Sequence, residues 1–288
     1  MSAYVDRFLP HFARVIGERH PDSSARALRD TAVYLAQQFR TLGLATTSHE
    51  VPFHDGTFEN VIGTTLNVRG HEAPLVLAAH YDTVSGSPGA DDNASGLVVL
   101  LEVARQVAQK RLTRPVQFIA FCLEEENLLG SRTYAAHLVS TRQPVLGAIV
   151  LECVGYAREE EGSQAIPPGI PIPVPTVGNF LALIGNQHSR ALTAVVEQAM
   201  KPHVPIVPLI VPGNGEQLPD TRRSDHTSFW EQGFSAVMLT DTANFRNPHY
   251  HRPTDTLETL NLGFMAAVAG ALTATVSALA GTEGPLRS

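Results

Sequence analysis

The sequence predicts a three-layer α/β/α sandwich around a mainly parallel, mixed central sheet. Segments of strand length alternate with segments of helical periodicity along most of the chain, as they do in α/β folds. The central strand segments, such as 74–82 and 145–155, are apolar on both faces, which is typical of strands that helices cover on both sides. With 288 residues, 43% of them hydrophobic, the chain can bury a sizeable core.

The elements follow one another without a linker. Helical periodicity runs from 24 to 42, where Gly43 provides a helix C-cap. The later elements are strands at 45–53, 60–67 and 74–82, a helix at 94–111, a strand at 114–125, a helix at 130–140, strands at 145–155 and 180–186, a helix at 188–201, a strand at 205–211, a short helix at 226–232, a strand at 236–242 and a last helix within 262–281. We therefore predict one domain, 1–288, with no inserted lid or accessory domain.

The segment 159–178, "EEEGSQAIPPGIPIPVPTVG", interrupts this alternation. Its prolines exclude a helix or a central strand, so it is predicted to be a long surface loop. Long loops within compact domains are often functional. Together with 212–222, it is positioned to shape a specificity pocket.

Composition excludes several classes of protein. The net charge is −7 and no run of Lys or Arg forms a basic stripe, which argues against a nucleic-acid partner. Cys122 and Cys153 lie in apolar segments without a CxxC motif, which is typical of proteins in a reducing compartment.

The N-terminal segment lacks the apolar core of a signal peptide. Residues 262–281 carry no charge but are rich in small residues, which favours a buried helix over a membrane span. We therefore expect a cytoplasmic protein with no membrane partner.

Polar side chains follow the apolar runs, at the edge of a parallel sheet where ligands bind. They are His80 and Asp82, Glu124 to Glu126, Glu152, His249 and His251, and a glycine-bounded loop adds Asp91 and Asp92. Most of these motifs alone have an ordinary explanation, because acids suit helix N-termini and Asp is a common N-cap. Glu152 is harder to explain in this way, because a carboxylate at the end of a buried apolar strand needs a partner. Jointly they predict a carboxylate cluster, which requires cations. Histidines with carboxylates and no thiolate suit zinc, although cobalt or manganese would also fit. Two metals about 3.5–4 Å apart, bridged by a carboxylate, would use all of these groups.

Six motifs follow one another along the chain: "AAHYDTV", "PGADDNASG", "CLEEENLLGS", "LECVGY", "RSDHTSFWEQG" and "HYHRPTDTLETLN". In this order they resemble the motifs of the M28 family of zinc-dependent aminopeptidases. The resemblance extends from about residue 60 to the end and implies a zinc-exopeptidase-like fold. It also implies a peptide substrate and two zinc ions per chain, which together release N-terminal residues.

The resemblance also implies a role for each matching residue. His80 and Glu152 correspond to the ligands of one zinc, although the family most often has Asp at position 152. Glu125 and His251 correspond to the ligands of the other, and Asp92 to the bridging carboxylate. Asp82 then corresponds to the acid that orients His80 through its second ring nitrogen.

The glutamate run allows two registers, 124/125 or 125/126, for the general base and the ligand. Family members carry Glu-Glu-x-x-x-x-Gly-Ser, and counting back from Gly130-Ser131 makes Glu124 the base and Glu125 the ligand. Tyr250 holds the position of an oxyanion donor in some bacterial members, and Arg222 or Arg223 is the alternative. Ser224-Asp225-His226 lie in one turn and cannot align as a catalytic triad, so we interpret them as a helix start.

Other functions fit parts of this pattern. An M20-type carboxypeptidase or deacylase would share "HYDTV", but 288 residues leave no room for the lid domain of that family. Another di-zinc hydrolase or a glutaminyl-cyclase-like acyltransferase on the same fold would share the HxD motif and the bridging Asp. A non-catalytic homologue is disfavoured, because such relatives typically lose ligands and none is missing here.

Overall fold

The computed structural model describes residues 2–281. The helices are α1 (Ser2–Val15), α2 (Ala25–Thr41), α3 (Gly96–Val107), α4 (Leu129–Ser140), α5 (Arg190–Met200), α6 (His226–Glu231) and α7 (Leu262–Leu279). The strands are β1 (Ala45–Phe53), β2 (Gly56–Thr64), β3 (Leu75–His80), β4 (Val116–Phe121), β5 (Gly147–Glu152), β6 (Leu181–Asn186), β7 (Ile206–Val211) and β8 (Ala236–Thr240). The predicted domain bounds, 1–288, extend beyond the described residues at both ends.

The strands form one sheet of eight, in the order β1-β2-β4-β3-β5-β8-β6-β7. The four central strands, β4, β3, β5 and β8, run parallel. The β1–β2 hairpin is antiparallel to β4 at one side, and β6 is antiparallel to β8 at the other. The predicted mixed, mainly parallel sheet is therefore confirmed, and the carboxyl ends of its four central strands meet at one edge.

Alternate residues of each central strand serve two separate cores, as the two-residue period of a strand requires. In β3, Leu75, Leu77 and Ala79 pack with α1, α2, α3, α5 and α7. Val76 and Ala78 face the other side, where α4 and α6 contribute the covering side chains. Every residue of β3 is thus buried, which explains its unbroken apolar sequence.

Several boundaries differ from the prediction, and the differences position the site. The strands predicted to reach 82 and 125 end at His80 and Phe121. Leu123, with φ of +57°, turns the chain out of the sheet. The helix predicted from 94 is preceded by a π-helical turn at Ala90–Ser95 and ends at Val107.

Two segments singled out by composition have defined places in the fold. Helix α7 is long and apolar enough to cross a membrane, with a hydropathy of 1.8, yet 56% of it is buried inside the fold. That burial fits the interpretation as a core helix. Residues 159–178 contain no helix or strand, as predicted, and Ile170, Ile172 and Val174 pack against the core beneath α4 and α6.

Candidate metal centre

The carboxylate of Asp92 lies between two imidazoles. Its Oδ1 is 3.1 Å from His80 Nε2, and its Oδ2 is 3.0 Å from His251 Nε2. Asp92 is only 3% exposed, so both contacts are made in a largely dehydrated site. Each oxygen of one carboxylate thus points to a different histidine, as a bridging ligand would.

Two further carboxylates complete a pair of donor groups around Asp92. Glu152 Oε2 lies 3.4 Å from His80 Nε2, and Glu125 Oε1 lies 3.3 Å from His251 Nε2. Donor atoms of Asp92, Glu125 and His251 lie within 4.8 Å of one another, and so do those of His80, Glu152 and Glu124. The structure therefore brings all five predicted ligands together, in the predicted division.

The donor atoms fit metal ions better than they fit one another. Among residues 2–281, His80 Nε2, Asp92 Oδ1 and Glu125 Oε1 are buried and have no hydrogen-bond partner. Buried polar atoms are normally paired, so three such atoms converging on one place indicate a cation site. Imidazole and carboxylate donors in two groups with a shared carboxylate suit zinc.

Burial and charge pull the pKa values of this cluster in opposite directions. Burial alone would lower the pKa of His80, but Glu152 and Glu124 raise it well above its usual value. The neighbouring acids likewise raise the pKa of His251 to about 10. Burial raises the pKa of Glu125 to about 7, and Asp92 adds to that rise. Such a cluster favours bound positive charge, whether protons or metal ions.

The ligands sit where the chain leaves the sheet. His80 is the last residue of β3 and Glu152 the last of β5. Left-handed φ angles of +57° at Leu123 and +49° at Cys153 follow the ends of β4 and β5, and the ligand His251 itself has a φ of +58°. Such conformations are costly for residues with a Cβ and cluster at functional sites, where the surrounding fold enforces them.

Asp82 holds the glutamate segment by its backbone. Its Oδ1 and Oδ2 accept hydrogen bonds from the N–H groups of Glu124 and Glu125, each at 3.0 Å. Its Oδ1 is also 3.5 Å from His80 Nδ1, which is long for a hydrogen bond. The predicted contact of Asp82 with His80 is therefore weaker than its hydrogen bonds to the backbone of Glu124 and Glu125. These backbone contacts were not predicted from the sequence.

Asp255 holds the backbone of the loop that carries Asp92, the predicted bridging carboxylate. It is fully buried and accepts hydrogen bonds from the N–H groups of Asp91, at 2.9 Å, and Asp92, at 3.1 Å. Asp255 lies in the motif "HYHRPTDTLETLN", whose sequence predicted no role for it. The available signal was a carboxylate four residues after a ligand, in a segment expected at the site.

Side chains of three further motifs fix the remaining parts of the site. Asn93 Nδ2 donates to the carbonyl of Leu151, and its Oδ1 accepts from Cys153 N–H. Ser224 Oγ donates to Glu152 Oε2 at 2.7 Å, and α6 begins at His226, which fits the interpretation of "SDH" as a helix start. Gly130 packs so closely that a Cβ would lie 2.0 Å from the carbonyl oxygen of Cys122, which explains the glycine of the "GS" pair.

Two predicted neighbours lie outside the cluster. Glu126 points away from it and lies 3.5 Å from His20 Nε2. His249 bonds through Nδ1 to Thr254 Oγ1 at 3.0 Å. The structure thus separates Glu126 from Glu124 and Glu125, and separates His249 from His251.

Tyr250 connects the cluster to an arginine. Its ring stacks on that of His251 with centroids 3.8 Å apart. Its hydroxyl accepts a hydrogen bond from Arg223 Nη2 at 3.1 Å. Arg222 instead donates to Asn214 O at 2.6 Å and to Glu231 Oε1 at 2.7 Å. Of the two alternative arginines, Arg223 is thus the one coupled to Tyr250.

Two depressions meet at Tyr250 and Arg223, which line both. One is an apolar pocket that reaches Glu152, and its apolar lining includes Ile170, Ile172, Val174, Ile184, Leu209 and Met238. The other is an open polar cleft that reaches Glu124, Glu125 and His251. The segments 159–178 and 212–222 both contribute to the apolar pocket.

The family profile described as "Peptidase family M28" matches residues 60–276. The chain belongs to peptidase family M28. The uncharacterized protein YfbL of Escherichia coli K12 is 34% identical over 265 residues, 86% of this chain and 80% of that protein. Leucine aminopeptidase 1 of Arthroderma otae is 26% identical over 277 residues, 88% of this chain and 68% of that protein. The resemblance seen in the six motifs is therefore confirmed, and the chain is an M28 metallopeptidase.

Solved structures share the fold of this M28 chain. LapB from Legionella pneumophila has a TM-score of 0.76 at 23% identity, over 97% of this chain and 72% of that one. BSAP, a zinc aminopeptidase from Bacillus subtilis, has a TM-score of 0.61 at 26% identity, over 82% and 53%. Porphyromonas gingivalis glutaminyl cyclase has a TM-score of 0.69 at 19% identity, over 96% and 97%.

Proposed function

We propose that this M28 chain is an aminopeptidase that binds two zinc ions and releases N-terminal residues from peptides. The observation that carries the proposal is the carboxylate of Asp92, each of whose oxygens faces a different histidine–glutamate pair. The aminopeptidase named among the relatives, and the zinc aminopeptidase among the solved structures, support it. One zinc would be held by His80, Glu152 and Asp92, the other by Glu125, His251 and Asp92.

Glu124 is the residue we place as general base. Zinc held by these ligands would supply Lewis acidity and lower the pKa of a water. Glu124 is 8% exposed, and one of its carboxylate oxygens lies within 4.8 Å of donor atoms of His80 and Glu152. Burial raises its pKa well above the usual value, which suits a group that accepts a proton from water and delivers it to the leaving amine.

Tyr250 is the residue we place as oxyanion donor. Because its hydroxyl oxygen accepts from Arg223, its own O–H remains to donate to a developing negative charge. Burial raises the pKa of Tyr250, which keeps the phenol protonated. The stacked ring of His251 fixes the side chain beside a metal ligand.

The apolar pocket is placed to receive the side chain of the N-terminal residue. It begins at Glu152 and is walled by aliphatic side chains and Phe180, with few charged groups. Burial of apolar surface stabilises a bound leucine or phenylalanine by roughly 1.5–3 kcal/mol over an exposed one. We therefore propose a preference for large apolar N-terminal residues.

Aminoacyl-chromophore substrates test the proposal, with and without chelator. We expect cleavage of leucyl and phenylalanyl substrates, loss of activity on chelation and recovery on adding zinc. Zinc content is measured in parallel, with about two equivalents expected. Chelator-insensitive cleavage, or cleavage of N-acylated substrates only, would overturn the proposal.

Free cysteines at 122 and 153 fit the predicted cytoplasmic location, which stays a prediction.

The glutamate run supplies matched variants. Glu124→Gln is expected to lower kcat by at least about a thousandfold while zinc stays bound, because it removes the base but no ligand. Glu125→Gln is expected to weaken one zinc site. Glu126→Gln, which faces His20 and not the cluster, is expected to retain activity. An inactive Glu126→Gln beside an active Glu124→Gln would show that the assignment is off by one residue.

A glutaminyl cyclase is the second candidate, because that solved structure and this chain cover each other almost completely. Peptides beginning with glutamine distinguish the two functions by mass spectrometry. Release of free glutamine supports the aminopeptidase. Loss of ammonia with the chain length unchanged supports the cyclase.

A further inference from the structure

The polar cleft on the Glu124 side of Tyr250 is rimmed by arginines. Arg132 from α4, and Arg222 and Arg223 from the segment before α6, line it together with Glu124 and Glu125. Three arginines from two separate parts of the chain thus line one depression beside the proposed catalytic base.

The hydrogen bonds of these arginines are unequal. Arg222 donates to Glu231 and to Asn214 O, and Arg223 donates to Asn244 Oδ1 and to Tyr250. The Nε of Arg132 is buried without a hydrogen-bond partner among residues 2–281, and its ion pair with Glu231 is long, at 3.8 Å.

The charges near the rim do not cancel. Glu231 is shared by Arg132 and Arg222, and Asp220 lies 3.5 Å from Arg223. Three cations therefore have two carboxylate partners outside the catalytic cluster. Among residues 2–281 the structure gives the Arg132 side chain no polar contact beyond the long pair from its buried Nε to Glu231, and this side chain is 40% exposed. Its two terminal nitrogens are therefore the donors left for a ligand, and a planar guanidinium matches a carboxylate in two-pronged geometry.

The chemistry of the proposed reaction decides which part of a substrate occupies this cleft. Glu124 delivers a proton to the leaving amine, so the leaving fragment lies on the Glu124 side, opposite the apolar pocket. The rim is close, since only the ring of Tyr250 separates Arg223 from the metal ligand His251. A peptide advances by about 3.3–3.6 Å per residue, so a one- or two-residue leaving fragment carries its carboxylate within about 7 Å of the scissile bond, on the side of the cleft that these arginines line.

We propose that Arg132, supported by Arg222 and Arg223, binds the C-terminal carboxylate of short peptides, which makes dipeptides and tripeptides with an apolar first residue the preferred substrates. This proposal rests on the proposed aminopeptidase function and narrows its substrate class. Longer peptides, whose carboxylate lies beyond the rim, lack this contact.

The test compares peptides that differ only at the C-terminus. Leu-Gly and Leu-Gly-Gly are assayed beside Leu-Gly-amide and Leu-Gly-Gly-amide, with leucyl-chromophore as a substrate that has no carboxylate. A charge-assisted bond in a partly buried cleft is worth about tenfold or more, so amidation is expected to lower kcat/KM at least about tenfold. The loss should lie mainly in KM, because the contact is made in ground state and transition state alike.

Substitutions test whether Arg132 causes the difference in kcat/KM between the acid and amide substrates. In Arg132→Gln the acid-to-amide ratio of kcat/KM is expected to fall towards one, and Arg132→Lys should restore part of it. Arg190→Gln, at an exposed position outside both depressions, is the matched control and should keep the wild-type ratio.

The outcomes separate this proposal from the function on which it rests. Equal rates for acid and amide in the wild-type enzyme overturn the carboxylate contact while leaving the aminopeptidase intact, and they do so even if an arginine variant fails to fold. A wild-type preference that survives in Arg132→Gln removes Arg132 from the site. Failure to cleave any substrate, the leucyl-chromophore included, is failure of the aminopeptidase assignment itself.

Discussion

The backbone N–H of Glu124 donates a hydrogen bond of 3.0 Å to the carboxylate of Asp82. The proposed general base is thus fixed to the acid that follows a different strand, β3. Because β3 and β4 are parallel neighbours, their carboxyl ends lie side by side and the bond needs no long loop. The same acid accepts from Glu125, so one side chain sets the positions of a base and a ligand together.

Asp82→Asn is therefore expected to weaken zinc binding about 10- to 100-fold, as loss of supporting contacts around metal ligands typically does. Asparagine offers one acceptor oxygen where two N–H groups require two, and its own NH₂ would face a donor. Competition with a zinc-binding dye measures the change. Asp22→Asn, at an exposed position, is the control and should bind zinc as the wild type does. Unchanged zinc affinity in Asp82→Asn would contradict the supporting role.

Arg19 supports the adjoining loop from the N-terminal segment, before the region that the family profile matches. The side chain is 2% exposed and donates to carbonyls of Tyr81, at 2.6 Å, and of Pro88 and Gly89, at 3.1 and 3.3 Å. This loop joins His80 to the Asp92 turn. Burial lowers the pKa of Arg19 to about 10, so it remains charged at neutral pH.

Arg19→Met should lower the free energy of unfolding by at least about 3 kcal/mol, because several buried carbonyls lose their donor. Urea unfolding measures it. Arg26→Met, whose side chain is 95% exposed, should change stability by no more than about 0.5 kcal/mol. Equal stability of the two variants would show that Arg19 does not hold the loop.

His226 predicts an acid-sensitive contribution to stability. It is fully buried, and burial lowers its pKa from 6.5 to about 4. Below pH 6.5 the unfolded chain binds a proton that the folded chain excludes until about pH 4. The free energy of unfolding therefore falls across that window, by up to about 3 kcal/mol from this residue, and is unaffected above it.

His226→Gln removes the titration but keeps a donor for the carbonyl of Thr221, which His226 Nε2 contacts at 2.8 Å. Urea unfolding at pH 7, 6, 5 and 4 should show a shallower loss of stability in the variant. The comparison uses the difference between the two proteins, because buried acids such as Asp255, whose pKa burial raises to about 7, contribute with the opposite sign in both. Parallel pH profiles would refute the assignment.

The sheet and the set of clustered side chains could be predicted from the sequence, for a physical reason. Parallel strands buried on both faces leave a strong apolar pattern, and their carboxyl ends must share an edge. The placement of His80 and Glu152 follows directly from that rule. The partners of backbone groups were not predictable in this way, because Asp82 and Asp255 bind N–H groups that every residue carries.

Strand ends and arginine contacts also escaped prediction. Nothing in the letters of "FCLEEE" shows that Leu123 adopts a left-handed φ of +57°. The pairing of Arg223 with Tyr250, and of Arg222 with Glu231, depends on how the segment before α6 folds back on the site. Such contacts arise from tertiary packing and have no period in the sequence.

Ala182 offers a direct test of the apolar pocket. It lies on β6, is 8% exposed and lines the pocket, so a larger side chain there would occupy the space proposed for the substrate. Each buried CH₂ is worth about 0.8 kcal/mol, so the pocket should favour leucyl over alanyl substrates by tenfold or more. Ala182→Met is expected to reduce this ratio of kcat/KM about tenfold, chiefly by weakening the leucyl substrate. Ala136→Met, at an exposed position on α4, should leave the ratio unchanged. A leucyl preference that persists in Ala182→Met would mean that the N-terminal side chain binds elsewhere, since a filled pocket cannot also hold leucine.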